Sequence, residues 1–167
     1  MTKLGPPAIH HLNAAEGWLG LGSAAEAIAE LAQIEPSLQR HPEVLEMKWQ
    51  ILASEGQWSV CAEVGAELVT DNPDRAFGWI HRAYALRRTP GGGLKSAYDS
   101  LVPAADKFPE IWLIPYNLAC YECQLGNLTA AKTWLVKATA RGELQSIKRM
   151  AQIDPDLVPL KAWISSL

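Results

Sequence analysis

A ladder of small and apolar residues recurs along this chain about every 34 residues, and a fixed period of this length is typical of repeat architectures. When the repeats are aligned with one another, each set of equivalent positions forms a column. The first column is Ala27, Cys61, Ala97 and Ala131, and the second is Leu31, Gly65, Leu101 and Leu135. The third is Ile34, Leu68, Ala104 and Ala138. The intervals are 34, 36 and 34 residues, so all columns share one two-residue insertion. The chain is therefore predicted to stack similar units, each of which buries its apolar face against its neighbours.

Each unit has the sequence pattern of two helices. Between Glu43 and Glu55 the apolar residues spread over more than one face, which indicates a helix that packs on two sides. Gly56 follows and supplies the left-handed backbone that a helix C-terminus commonly needs. A second helix is predicted from Trp58 to about Thr70, and Pro73 ends it by disfavouring helical geometry in the preceding residue. We therefore expect an all-α chain without β-sheet.

The third unit has two features of its own. Pro103 falls inside its second helix, where proline removes one backbone hydrogen bond and clashes with the preceding turn, so we expect a bend or a break there. The two-residue insertion falls in Pro90-Gly91-Gly92-Gly93, which predicts a turn. The run Gly91 to Ser96 is partly similar to a phosphate-binding loop, but Leu94 replaces the glycine before Lys-Ser and a helix precedes it instead of a strand.

The period and the residue order resemble the tetratricopeptide repeat (TPR). The fourth unit resembles it best, from Tyr116 through Gly126 and Ala131 to Ala138. The second unit departs from the pattern, because it has bulky Trp49 where the family has Gly or Ala, and Gly65 where the family has a large apolar residue. We interpret the pair as an exchange that conserves volume.

The resemblance implies a right-handed α-solenoid of helix-turn-helix repeats that forms a single domain over residues 1–167. The repeats are expected at 8–41, 42–75, 76–111 and 112–143, and the first is the weakest match because His11 replaces the leading aromatic residue and the closing proline is missing. Residues 144–167 resemble the cap of such an array, in which Lys148, Arg149 and Lys161 provide a polar outer face.

In proteins of this family the first helix of each repeat lines a concave groove that binds peptides or helices. The resemblance places the following residues there: Ile9, Leu12, Glu16, Glu43, Glu46, Gln50, Phe77, Ile80, Tyr84, Arg87, Leu113, Tyr116, Cys120 and Cys123. Glu43 and Glu46 stand where a carboxylate-gripping groove would need cations. The aromatic and apolar members instead favour a trough for an apolar anchor, with Phe77, Ile80, Tyr84 and Tyr116 partly exposed in it. The alternative is that some of them pack against the closing segment or a second subunit.

The sequence offers little support for catalysis, a metal or a cofactor. Cys120 and Cys123 are three residues apart, but no second pair of ligands stands at zinc-binding spacing, and the repeat itself places residues three apart on one helix face. The adjacent His10 and His11 point in different directions on a helix. No metalloprotease or nucleophile-elbow motif is present. We expect a protein that is not an enzyme and has no cofactor.

The leading functional hypothesis is a non-catalytic interaction module or adaptor whose partner is another protein or peptide. One alternative is a small TPR-type chaperone of a secretion or assembly system. A weaker alternative is an RNA-binding repeat protein that uses Arg75, Arg82, Arg87 and Arg88, although a net charge of -3 argues against nucleic acid. The sequence is also compatible with a homodimer.

Composition also bears on the compartment. Three cysteines cannot all pair within one chain, and a chain of 167 residues does not need disulfides to fold. The residues after Met1 lack the uninterrupted apolar stretch of a signal peptide, and no apolar run reaches the roughly 20 residues of a membrane span. We expect a cytoplasmic protein.

Overall fold

A computed structural model describes residues 3–167 of the chain, and every structural statement below concerns those residues. The fold divides into two compact units. We call the part that ends at Ala85 the N-terminal unit, and Leu86–Leu167 the C-terminal unit. The part of the chain that the structure describes is helical and contains no strand, which confirms the all-α prediction.

Helical hairpins build the N-terminal unit. Helix α1 packs against α2, and α3 packs against α4. The bounds are α1 Ala8–Gly20, α2 Ala24–Ala32, a 3-10 helix at Pro36–Leu38, α3 Pro42–Ser54, α4 Trp58–Asp71 and α5 Ala76–Leu86.

The C-terminal unit contains a further hairpin and the predicted closing segment. Helix α8 packs against α9, and both contact a 3-10 helix near the C-terminus. The bounds are α6 Leu94–Leu101, α7 Ala104–Lys107, α8 Leu113–Gln124, α9 Leu128–Thr139, α10 Leu144–Ile153, the 3-10 helix Pro155–Leu160 and α11 Lys161–Ser165.

The predicted helix ends are confirmed at glycine and proline. Gly56, with φ +68°, follows α3 in left-handed geometry, and Gly22 and Gly126 occupy the equivalent places after α1 and α8. The predicted break at Pro103 is also present, because α6 ends at Leu101 and α7 begins at Ala104. The Pro90–Gly93 run forms a turn closed by a hydrogen bond of 2.9 Å from the Gly93 amide to the Leu86 carbonyl.

The structure gives a different reason for Gly65 than the volume exchange with Trp49. A Cβ atom at Gly65 would lie 2.8 Å from Cα of Arg82, so the absent side chain lets α4 and α5 approach at the backbone. Trp49 instead turns its ring towards α5 and contacts the rings of Phe77 and His81. Gly65 and Trp49 thus each contact α5, but at two separate places.

The closing segment is an integral part of the C-terminal core. Ile147, Leu157, Leu160 and Ile164 are almost fully buried, in one apolar cluster with α8 and α9 residues such as Leu135. Burial of this size makes the segment a structural cap, since each such side chain contributes about 1.5–3 kcal/mol when it leaves water. Local sequence sets its start: the carboxylate of Asp154 accepts a hydrogen bond from the Asp156 amide, and Pro155 opens the 3-10 helix.

Within residues 3–167, every helix is too short or too polar to cross a lipid bilayer.

Candidate functional site

An open cavity with aromatic walls lies in the N-terminal unit. Its lining residues come from α3, α4 and α5, and its volume is about 290 Å³. We call it the aromatic pocket, and its lining consists of Trp49, Ala53, Trp58, His81 and Tyr84. This volume is at the lower edge of the range for small-molecule sites and fits one large side chain better than a cofactor.

Ring contacts hold the walls of the aromatic pocket in place. Tyr84 meets Trp49 and Trp58 edge to face, with ring centroids 6.2 Å and 5.7 Å apart. His81 stacks on Phe77 at a centroid distance of 3.6 Å and meets Trp49 edge to face at 4.5 Å. Tyr84 nevertheless remains 39% exposed. The pocket is thus a set of mutually braced rings that stays accessible from outside.

Two groups at the aromatic pocket have unusual polar surroundings. Burial lowers the pKa of His81, against the opposing effect of its hydrogen bond with the Phe77 carbonyl, so the ring is neutral at pH 7. The indole N–H of Trp49 is buried and has no hydrogen-bond partner among the described residues. An unsatisfied buried donor costs about 1–3 kcal/mol, so the Trp49 indole is a local source of instability in this cluster.

The predicted groove residues of the first two repeats occupy varied surroundings. Ile9 and Leu12 are partly buried against the apolar core of the first hairpin. Glu46 forms an ion pair with Arg75 at 2.7 Å. Glu43 is half-buried, whereas Glu16 and Gln50 are exposed.

Three predicted groove residues lie on α5 within the N-terminal unit, and two of them are at or beside the aromatic pocket. Tyr84 lines the aromatic pocket, and Phe77 contacts Trp49 and His81 beside it. Ile80 is only 9% exposed, so the expectation that it is partly exposed in a trough is wrong. The structure therefore brings Phe77 and Tyr84 together around Trp49.

The groove predicted on α8 is covered by the chain's own closing segment. Tyr116, Cys120 and Cys123 are each 3–4% exposed. The Tyr116 hydroxyl donates to Asp154 Oδ2 at 2.8 Å, and the Cys120 thiol donates to the same oxygen at 3.6 Å. The predicted exposure of Tyr116 is therefore wrong, because the 3-10 helix after Asp154 packs on this face of α8.

Arg87 and Leu113 are the remaining predicted groove residues of the C-terminal unit. Arg87 binds Asp156 with both terminal nitrogens, and its Nη2 lies 2.6 Å from Oδ1. This hydrogen bond raises the pKa of Arg87. Leu113, at the start of α8, is half-buried. In the C-terminal unit, the segment that occupies the predicted groove is an internal Asp-Pro-Asp sequence.

Ligand atoms of Cys120, Asp154 and Asp156 lie within 4.8 Å of one another, a grouping that would suit a metal ion. The carboxylates already accept from Arg87 and Tyr116. Burial raises the pKa of Cys120 and of Tyr116, and the neighbouring carboxylates raise both further. In the absence of a metal the Cys120 thiol is protonated at neutral pH, and Cys120, Asp154 and Asp156 belong to an ion-pair and hydrogen-bond network with Arg87 and Tyr116.

The structure pairs two of the four arginines of the RNA-binding alternative with carboxylates. Arg75 is paired with Glu46, and Arg87 is paired with Asp156. Arg82 lies with its Cα against Gly65. Ion pairs thus neutralise two of the four charges, which weakens the electrostatic contribution that RNA binding would need.

Comparison with solved structures decides the type of repeat. The crystal structure of a thermophilic TPR protein from Thermus thermophilus aligns with a TM-score of 0.65 and 18% sequence identity, over 96% of this chain and 100% of that chain. This chain has the TPR fold. No family model matches the sequence, and no curated protein does. The TPR resemblance seen in the repeat columns is therefore confirmed at the level of fold.

Trp49, Ala53, Trp58 and His81 line the aromatic pocket, but the groove positions carried over from the TPR pattern do not include them. The sequence did contain a signal for one of them, since Trp49 replaces the small residue that the TPR pattern has at this position. In the structure this large aromatic residue contacts the rings of Phe77, His81 and Tyr84 on α5. Trp58 and His81 carried no such signal.

Proposed function

We propose that this TPR chain is a non-catalytic interaction module that binds a peptide or helix from another protein through the aromatic pocket of its N-terminal unit. The aromatic pocket carries the proposal. Its rings present preformed apolar surface, and Trp and Tyr are among the residues enriched in the side chains that dominate binding energy at protein interfaces.

The rings of the aromatic pocket are braced against one another before binding, which lowers the entropy cost of ordering them.

The predicted groove residues of the N-terminal unit differ in how available they are to a partner. Ile9, Leu12 and Phe77 are partly buried, and Glu16 and Gln50 are exposed. In the C-terminal unit the equivalent face is covered by the closing segment, so we assign the anchor to the N-terminal unit alone.

The titratable groups of the C-terminal unit support a non-catalytic role. Cys120 and Tyr116 are held in their protonated forms by burial and by Asp154. Asp156 is tied to Arg87. A nucleophile must lose its proton and reach a substrate, and this network opposes both. Three buried free cysteines also favour a reducing, cytoplasmic setting.

The proposal is tested by selecting a random peptide library displayed on phage against the wild-type protein, with affinities of enriched peptides measured by calorimetry. We expect enriched peptides with a shared large apolar residue, and binding that weakens about tenfold or more when Tyr84→Ala removes one wall. Val60→Ala is the matched control, because Val60 is an exposed apolar residue of α4 outside the pocket. No enrichment, or equal binding by Tyr84→Ala, would reject the proposal.

A further inference from the structure

The two units differ in the sign of their charge. Residues 1–85 contain 5 Lys and Arg against 11 Asp and Glu, a net charge of -6, whereas residues 86–167 contain 10 against 7, a net charge of +3. The chain's overall charge of -3 hides this asymmetry. A net charge of this size attracts oppositely charged partners over about a Debye length, or 8–10 Å at physiological salt.

The walls of the aromatic pocket carry no formal charge. Two indoles, a phenol, the methyl group of Ala53 and the imidazole of His81 make up the lining. Because burial lowers the pKa of His81, the imidazole is neutral at pH 7. A charged side chain would lose its hydration inside such a lining without gaining an ion-pair partner, so an apolar side chain is the better occupant.

Carboxylates lie close to the pocket in sequence, outside its lining. Glu55 directly follows α3, two residues after Ala53, and is exposed. Glu63 is exposed on α4, five residues after Trp58.

Lys48 is exposed on α3 beside Trp49. The net charge of -6 for residues 1–85 already includes this lysine. Arg82, between His81 and Tyr84 on α5, is a second cation near the pocket in sequence. The negative charge available to a partner is therefore that of the N-terminal unit as a whole, -6 over residues 1–85.

We infer that the partner is a basic peptide segment with one large apolar side chain, which fills the aromatic pocket while flanking Lys or Arg residues face the carboxylates of the N-terminal unit. The inference rests on the proposed function and adds the chemistry of the partner. Apolar contact supplies the anchor, and charge complementarity raises the association rate and excludes acidic segments.

The test uses two displayed peptide libraries of equal size that share a randomised apolar position. One has fixed lysines on both sides of that position, and the other has fixed glutamates. On the wild-type protein we expect the lysine library to be enriched about tenfold or more over the glutamate library. Raising the salt from about 0.05 to 0.5 M is expected to weaken binding of the enriched peptides several-fold.

Each outcome separates the inference from the proposed function. Equal enrichment, or preference for the glutamate library, would overturn the basic partner while the peptide-binding function stands. Enrichment from neither library would reject both. Ala53→Leu, which fills the pocket without removing a wall, is expected to abolish enrichment, and Val60→Ala is expected to retain it. Retained enrichment of lysine peptides on Ala53→Leu would place the basic segment elsewhere and overturn the inference.

Discussion

Arg87 and Asp156 form a bidentate ion pair between residues 69 positions apart in the sequence. Their side chains are 25% and 19% exposed, so the pair is shielded from most solvent screening. Beside it, Asp154 accepts from Tyr116 and Cys120. These contacts fix the start of the 3-10 helix Pro155–Leu160 on α8. The closing segment therefore occupies the face of α8 on which a TPR groove was expected.

Asp156→Asn is expected to lower the free energy of unfolding by about 1–3 kcal/mol, because it leaves the partly buried guanidinium of Arg87 without its charged partner. Denaturant unfolding followed by circular dichroism measures the change. Asp99→Asn is the matched control, since Asp99 pairs with Lys95 on the exposed surface, with side chains 54% and 73% exposed. Its effect is expected to stay below about 0.5 kcal/mol. Equal losses in the two variants would show that the Arg87 pair contributes no more than a surface pair.

Gly65→Ala is expected to destabilise the protein by about 1–3 kcal/mol, because the new methyl group would lie 2.8 Å from the Cα atom of Arg82 and would force α4 and α5 apart. Gly17→Ala is the matched control within α1, where nothing lies within 4 Å of the added Cβ. That change is expected to stabilise by about 0.5–1 kcal/mol through helix propensity. Thermal unfolding of both variants tests the close approach, and a Gly65→Ala protein as stable as wild type would contradict it.

The buried thiols are expected to react slowly and to make stability fall at alkaline pH. Burial raises the pKa of Cys61 to about 11. Above about pH 9 the unfolded chain loses thiol protons that the folded chain keeps, so the stability contributed by the neutral thiol is lost as pH rises towards 11. Urea unfolding at a series of alkaline pH values measures the slope, and Cys61→Ala is expected to make it shallower. Rapid reaction of all three cysteines with a thiol reagent in the native protein at pH 8 would contradict their burial.

Substitution of Tyr84 is expected to weaken mainly peptide binding, whereas substitution of Leu118 is expected to lower mainly the free energy of unfolding. Leu118 is fully buried, so Leu118→Ala is expected to cost about 2–5 kcal/mol of stability as a core cavity. Tyr84→Ala removes a residue that is 39% exposed, so it is expected to weaken peptide binding by about 1–3 kcal/mol with a smaller effect on unfolding. Parallel unfolding and calorimetric titrations of the two variants measure the difference. A Tyr84→Ala protein that unfolds as readily as Leu118→Ala would assign Tyr84 to packing.

The sequence predicted most of the fold because its signals were local and periodic. The 34-residue columns located the hairpins, Gly56 and Pro103 marked helix ends, and the apolar stretches after residue 143 located the closing segment. Each of these depends on residues that lie close together in the chain. Such local signals therefore suffice to predict an all-helical repeat fold.

The site was less predictable because it depends on contacts between distant residues. A family groove position on α8 says nothing about what covers it, and the ion pair that places the closing segment joins residues 69 apart. Trp58 and His81 stand outside the groove pattern and become pocket residues only through the rings of Trp49 and Tyr84. Such contacts follow from packing, which repeat spacing does not encode.

Indole N–H resonances of the seven tryptophans provide the most direct test of the aromatic pocket. Trp49 and Trp58 line it, whereas Trp134 and Trp163 belong to the C-terminal core. In ¹H–¹⁵N spectra recorded during titration with a peptide enriched from the displayed library, we predict that the Trp49 and Trp58 signals shift and that the Trp134 and Trp163 signals stay in place. Shifts confined to Trp134 and Trp163, or saturable binding that leaves Trp49 and Trp58 unmoved, would contradict the assignment of the binding site to the N-terminal unit.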